Sequence, residues 1–259
     1  MAVLEVAQGA SWCKLSRPLE RVPTAKVPTK KGGGKRGRVK GFSRASRRRL
    51  LDVLNQIKRP AVQSALFVTL TYPGEWPKAW ERWKRDIDTF GKRLRRQYPG
   101  VSFVWRLEYQ RRGAPHFHLL VFGVPFIPHD WVARAWYDVV GSNDPRHLKA
   151  GTEIKRVRRF RSVIAYAAKY IGKEQSRGAA RTDGRVWGIV GRDSLPIEIV
   201  AVEVPVKAWY SIRRTLRKWV EKRTGNRWIT ARGSMGSLSV YFPSKGVLRL
   251  LAFEVERLG

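Results

Sequence analysis

Apolar positions recur along this chain with two periods, and the changes of period mark out its elements. The run ALFVTLTY, Ala65 to Tyr72, is dense in apolar and β-branched residues and closes on Pro73 and Gly74, which predicts a buried strand. From Trp76 to Tyr98 the spacing becomes helical, with Trp76, Trp80, Trp83, Ile87, Phe90 and Leu94 three or four apart on a basic, polar background. SFVWRLEYQ and PHFHLLVFG are apolar runs joined by Arg111, Arg112, Gly113 and Ala114, a connection suited to an antiparallel hairpin. A helix over His129 to Val140, a strand over Gly151 to Val157 and an alanine-rich helix over Arg161 to Glu174 complete the series. The order predicts an α+β fold built on a central antiparallel sheet of RRM-like (ferredoxin-like, split βαβ) type with helices on one face.

Upstream, Ser43 caps a short helix whose apolar side is Leu50, Leu51, Val53, Leu54 and Ile57, ended by Pro60. Downstream, Lys207 to Arg223 reads as a basic helix, and SLSVYF and VLRLLAFEVE flank Pro243 to Gly246 as a terminal hairpin. The expected division is a basic arm and short helix over 1–60, a globular domain over 61–195, and a C-terminal extension over 196–259 packed on that domain.

Charge changes the picture most. The 259 residues carry 53 Lys or Arg against 20 Asp or Glu, a net charge of +33, so compaction is opposed by self-repulsion unless a polyanion neutralises it. Nucleic acid is the default partner, with an anionic membrane surface second. Eleven cations and no acid lie between Lys26 and Arg49, punctuated by Pro28 and Gly32 to Gly34, which reads as a mobile basic arm. Within it Lys35, Arg36 and Arg38 are candidate phosphate contacts. Cys13 is the only cysteine, which excludes an intramolecular disulfide and a cysteine-based zinc knuckle and suits a reducing cytoplasm. No apolar stretch of about 18 residues is present, so a soluble, cytoplasmic protein without a membrane partner is expected.

The chemistry concentrates in the predicted hairpin. His116 and His118 are two apart and share a strand face, and Glu108 lies on the partner strand within reach of the same face. Two imidazoles and a carboxylate suit a divalent ion, either zinc in a hydrolase or Mg or Mn beside a phosphate. A structural histidine pair would show the same spacing. Tyr166 and Tyr170 stand four apart on the alanine-rich helix, with Lys169 and Lys173 each three beyond one of them. Packing alone would explain two such aromatics, but a phenol with a pKa of about 10 needs a nearby cation or metal to act as a nucleophile, and the lysines supply one. Arg111, Arg112, Lys155, Arg156, Arg158 and Arg159 flank the constellation and are candidate DNA contacts. Among the 11 tryptophans, Trp105, Trp187 and Trp228 lie near arginines and are candidates to stack unpaired bases.

Taken together, LEYQRRGAPHFHLLVFG followed by YAAKYIGK resembles the HUH endonucleases, and within them the rolling-circle replication initiators of plasmids and single-stranded DNA phages. FVTLTYP, Phe67 to Pro73, is similar to that family's first motif, and RVWGIVGR, Arg185 to Arg192, is similar to the segment after its tyrosine helix. The resemblance covers about residues 65 to 190. It implies a nuclease domain in which Glu108, His116 and His118 hold Mg or Mn and Tyr166 and Tyr170 are paired nucleophiles. The implied reaction is site-specific nicking and joining of single-stranded DNA through a 5′-phosphotyrosine. The implied partners are a replication origin, in hairpin form as one option, and a host helicase and polymerase, since no phosphate-binding loop G-x-x-x-x-G-K-[ST] is present. A single-tyrosine transposase and a non-catalytic nucleic-acid-binding protein are the alternatives.

Overall fold

The computed structural model describes residues 2–7, 12–16, 42–157, 184–225 and 238–241. The chain divides into two compact units, one of residues 37–196 and one of residues 1–36 with 197–259. In chain order the described elements are β1 (Ala2–Ala7), β2 (Trp12–Leu15), α1 (Arg44–Gln56), α2 (Arg59–Gln63), β3 (Leu66–Thr71), α3 (Trp80–Gln97), β4 (Ser102–Tyr109), β5 (Pro115–Phe122), α4 (His129–Val140), α5 (Pro145–Ala150), β6 (Thr152–Arg156), β7 (Trp187–Val190), β8 (Ile199–Val204), α6 (Val206–Thr224) and β9 (Leu238–Tyr241).

The larger unit holds a five-stranded sheet in the order β6-β3-β5-β4-β7. Every neighbouring pair is antiparallel, so β3 and β4 run parallel to one another with β5 between them. Joined by α3, they form the split βαβ unit, and the α+β, RRM-like sheet expected from the pattern is present. One face carries Val68, Leu70, Trp105, Leu107, Phe117 and Leu119, all buried. Against it pack Trp83, Ile87, Phe90 and Leu94 of α3 and Val132, Trp136 and Val139 of α4. Trp136 is the centre of this layer, meeting the Phe117 ring at 6.1 Å and the Phe90 ring at 6.0 Å between centroids. Each such side chain, fully buried, contributes about 1.5–3 kcal/mol.

Helix α3 starts at Trp80 rather than Trp76. The residue before a proline is disfavoured in helical backbone, and Pro77 follows Trp76. Pro77 instead offers its carbonyl, which accepts from the Trp83 indole at 2.6 Å. Strand β7, an extra edge beyond β4, was not apparent in the pattern. It is short and has Gly188 at its middle, where a Cβ would lie 2.9 Å from the Trp105 indole. Only glycine lets that ring lie flat across the strand.

The smaller unit is a four-stranded antiparallel sheet, β8-β1-β2-β9, with α6 against one face. Its core is Ala2, Leu4, Cys13, Leu15, Val204, Val240 and the α6 residues Ala208, Trp209, Ile212 and Leu216. Residues 2–7 and 12–15, grouped with the basic arm from the sequence, are thus inner strands of this sheet, while α1 falls in the larger unit. The reason is one of distance. AVLEVA alternates like a strand, but its partner IVAVEV lies nearly 200 residues away, and local pattern carries no signal for that pairing. The alanine-rich helix over 161–174, most of the arm, and the second half of the expected terminal hairpin lie outside the described residues.

Candidate active site

Register decides what meets on the other face of the larger sheet. Thr71 on β3, His116 on β5 and Glu108 on β4 are direct cross-strand partners, and Thr69, His118 and Arg106 form the neighbouring row. Residues two apart on a strand share a face, so all six side chains project on the side away from α3 and α4. The turn that sets this register runs through Gln110 to Ala114. Gln110 N–H donates to the Ala114 carbonyl at 2.9 Å, and Gly113 adopts a φ of +84° that suits glycine alone.

The imidazoles of His116 and His118 stand 4.3 Å apart between centroids, at 74°. Nδ1 of His116 is 2.9 Å from the Thr71 hydroxyl, and Nδ1 of His118 is 3.4 Å from that of Thr69. Nε2 of His118 faces the Glu108 carboxylate at 3.6 Å. Burial first, and the adjacent His118 second, push the His116 pKa down to about 4, so its ring is neutral at physiological pH and keeps a lone pair for coordination. Thr71 is itself pinned, because its carbonyl accepts from the Trp136 indole at 2.7 Å and from His147 Nε2 at 2.8 Å.

One carboxylate and two imidazoles are the right donor types for a divalent cation with open positions. The threonines strengthen the fit, since ligating histidines usually have their second nitrogen held by an outer partner. Among the described residues, however, no three His, Cys, Asp or Glu side chains stand as a finished metal cluster. Glu108, His116 and His118 are donors gathered on one face rather than closed around one point.

The other expected contacts separate. Arg111 and Arg112 are both exposed at the hairpin turn, but Arg112 is already engaged: it donates to the Tyr72 carbonyl at 2.8 Å and the Gly74 carbonyl at 3.2 Å, and lies over the Trp76 ring. Lys155 and Arg156 are exposed at the end of β6, with Lys155 ion-paired to Glu153 at 2.6 Å. Trp105 does not offer a face to a base, because it is core on the helix side between Phe117 and Lys84. Trp187 is half-buried on the histidine side and donates to the Ser46 hydroxyl at 2.8 Å, bringing the start of α1 to that face. Tyr166, Lys169, Tyr170, Lys173, Arg158, Arg159, Lys35, Arg36, Arg38 and Trp228 lie outside the described residues.

The sequence reading missed Thr69, Thr71 and Arg106. Arg106 is buried beside His118, its guanidinium 3.8 Å from the Phe42 ring centroid. For Arg106 the signal was available, since it is two before Glu108 on the same strand; alternation in FVTLT puts the two threonines on one face but does not show which strand they will meet. His129 and His147 are structural, their Nε2 atoms donating to the Thr152 and Thr71 carbonyls.

Comparison with known proteins converges on this segment. Residues 65–175 match the family model of the replication-associated proteins of ORF2 type. The chain is 27% identical over 215 residues to the replication-associated protein of Pseudomonas phage Pf3, covering 76% of this chain and 73% of that protein. It is also 27% identical over 210 residues to a putative replication protein of Xylella fastidiosa, covering 71% and 70%. No solved structure matches. These comparisons bear out the resemblance to rolling-circle replication initiators: over this segment the chain is similar to replication-associated proteins. Among the described residues no helix is long and apolar enough to cross a membrane.

Proposed function

We propose that this protein nicks and rejoins single-stranded DNA at a replication origin, starting and ending rolling-circle replication. The observation that carries the reading is the cross-strand row in which Glu108 opposes His116, with His118 one position along the same face.

In this reading Tyr166 or Tyr170 attacks the scissile phosphorus through its phenolic oxygen. The P–O3′ bond breaks, the 3′ oxygen takes a proton, and the 5′ phosphate remains on the tyrosine. The chemistry supplied at Glu108, His116 and His118 by a divalent ion, Mg or Mn, is polarisation of a nonbridging phosphate oxygen and offset of transition-state charge. Lys169 and Lys173 lower the cost of forming a phenolate. Because the ester bond energy is retained, a later 3′-hydroxyl can attack the phosphotyrosine and reseal the strand without ATP, and a second tyrosine allows a second cut before the first is undone. A host polymerase extends the free 3′ end, and a host helicase supplies unwinding.

The test is incubation of the purified protein with a labelled origin oligonucleotide and Mg or Mn, followed by denaturing electrophoresis. A covalent protein–DNA adduct that disappears in chelator and in His118→Ala is expected. Full nicking in excess chelator would overturn the metal-assisted reading.

A further inference from the structure

The four histidines of this chain fall into two chemical pairs. His129 and His147 present Nε2 to the carbonyl oxygens of Thr152 and Thr71, at 3.1 and 2.8 Å. A carbonyl only accepts, so these rings carry their proton on Nε2. His116 and His118 are reversed, with Nδ1 at 2.9 and 3.4 Å from threonine hydroxyls and Nε2 of His118 turned to Glu108. A hydroxyl can accept as well as donate, so it can hold the Nδ1–H tautomer that a ligating Nε2 requires.

We infer that Thr69 and Thr71 are positioning residues that fix His118 and His116 as Nδ1–H tautomers and aim their Nε2 atoms to the Glu108 side. Strand geometry makes them a matched pair: β3 runs beside β5 in a register that sets Thr69 against His118 and Thr71 against His116. Each hydroxyl is one hydrogen bond from the ring it steers, on a residue type already favoured in a strand. Thr71 is the firmer of the two, having the shorter contact and a carbonyl anchored by Trp136 and His147. The inference rests on the metal reading above, so its test includes a readout that does not.

Nitrogen-15 NMR of histidine-labelled full-length protein without metal reports each ring's tautomer directly. Wild type should show two Nδ1–H and two Nε2–H imidazoles. Thr71→Val, which keeps the branched shape and removes the hydroxyl, should release one ring into a mixture, and Thr71→Ser should restore it. Mn²⁺ titration by calorimetry should show binding weakened about 10- to 100-fold in Thr71→Val and near wild type in Thr71→Ser. An unchanged tautomer pattern together with unchanged Mn²⁺ affinity in Thr71→Val would overturn the inference. If wild type shows the expected tautomers but its Mn²⁺ binding is indifferent to His118→Ala, the metal reading fails while the positioning role stands.

A second observation lies in the other unit. Helix α6 buries Ala208, Trp209, Ile212 and Leu216. Its opposite side exposes Lys207, Tyr210, Arg214, Lys218 and Lys222 in one stripe about 22 Å long, with Arg217 alongside and Glu221 as the single acid in the helix. Tyr210 is 48% exposed at the rim of a cavity of about 440 Å³ that Arg213, Arg214, Arg217 and Lys218 help to line. The geometry points to this stripe as a contact surface for single-stranded DNA, with cations on the phosphates and the Tyr210 ring stacking on a base. It rests on the protein handling DNA and not on how DNA is cut.

Fluorescence anisotropy with an oligothymidine at several salt concentrations tests it on the full chain. Replacing Lys207, Arg214, Lys218 and Lys222 by Gln together should lower the salt slope by about 0.7 per cation removed. Tyr210→Ala should weaken oligothymidine binding about 5- to 100-fold while leaving the slope unchanged. An unchanged slope in the four-Gln variant, or loss of binding to anionic vesicles with DNA binding intact, would overturn the assignment. Nicking by His118→Ala reports on the sheet site alone and separates the two failures.

Discussion

Lys84 lets the packing of the larger unit be tested quantitatively. It projects from α3 with its ammonium buried 4.4 Å from the Trp105 ring centroid, and among the described residues it has no hydrogen-bond partner. Burial, then Arg106 and Arg185, push its pKa from 10.5 down to about 7. The folded state holds the proton more weakly than the unfolded state, so the penalty is complete below about pH 7, shrinks as pH rises toward 10.5, and then vanishes. At about 1.4 kcal/mol per pH unit the ceiling is on the order of 4–5 kcal/mol at pH 7 and about 1 kcal/mol at pH 9.5. The indole face returns about 0.5–2 kcal/mol to the charged form. Lys84→Met, of similar length and apolar, should therefore stabilise the unit by about 2–3 kcal/mol at pH 7 and by less than half of that at pH 9.5. Urea unfolding followed by tryptophan fluorescence at both pH values measures the gain. A destabilised variant, or an equal gain at both pH values, would refute the argument that an unpaired buried charge strains this layer.

Other consequences follow from particular contacts. Cys13 is fully buried and its thiol is pushed up to about 12 by burial, so it should resist a thiol reagent in the native protein and react at the rate at which the smaller unit opens. Deleting residues 1–16 removes two inner strands and should expose the α6 core to dye binding, whereas replacing the arm's Lys35, Arg36 and Arg38 by Gln should weaken DNA binding at all sequences and flatten its salt dependence. Arg112→Ala removes two hydrogen bonds between the hairpin turn and the chain just after β3 and, because the side chain is exposed, should cost only about 0.5–1.5 kcal/mol in urea unfolding; a variant as stable as wild type would show that these bonds do not hold the turn.

Much of the larger unit was legible because its elements are neighbours in sequence and strongly periodic. The HFH alternation, the glycine-bearing turn and Glu108 eight residues upstream are enough to place three donors on one face once a hairpin is assumed, and the register agrees. What was hidden depended on partners distant in sequence. Nothing in AVLEVA names IVAVEV as its partner, and nothing in FVTLT says that its hydroxyls will meet imidazoles some 45 residues on until β3 is known to lie beside β5. Trp105 shows the reverse error, since adjacency to Arg106 suggested a base-stacking ring, while strand alternation sends the two side chains to opposite faces.

The most direct test of the central claim is covalent adduct formation on an origin oligonucleotide, compared among wild type, Tyr166→Phe, Tyr170→Phe, the double variant and His118→Ala. Each single tyrosine variant should retain part of the adduct and lose circularisation, and the double variant and His118→Ala should form none while still binding DNA in a salt-sensitive way. Adduct formation by the double variant, or by His118→Ala at the wild-type level, would contradict the account.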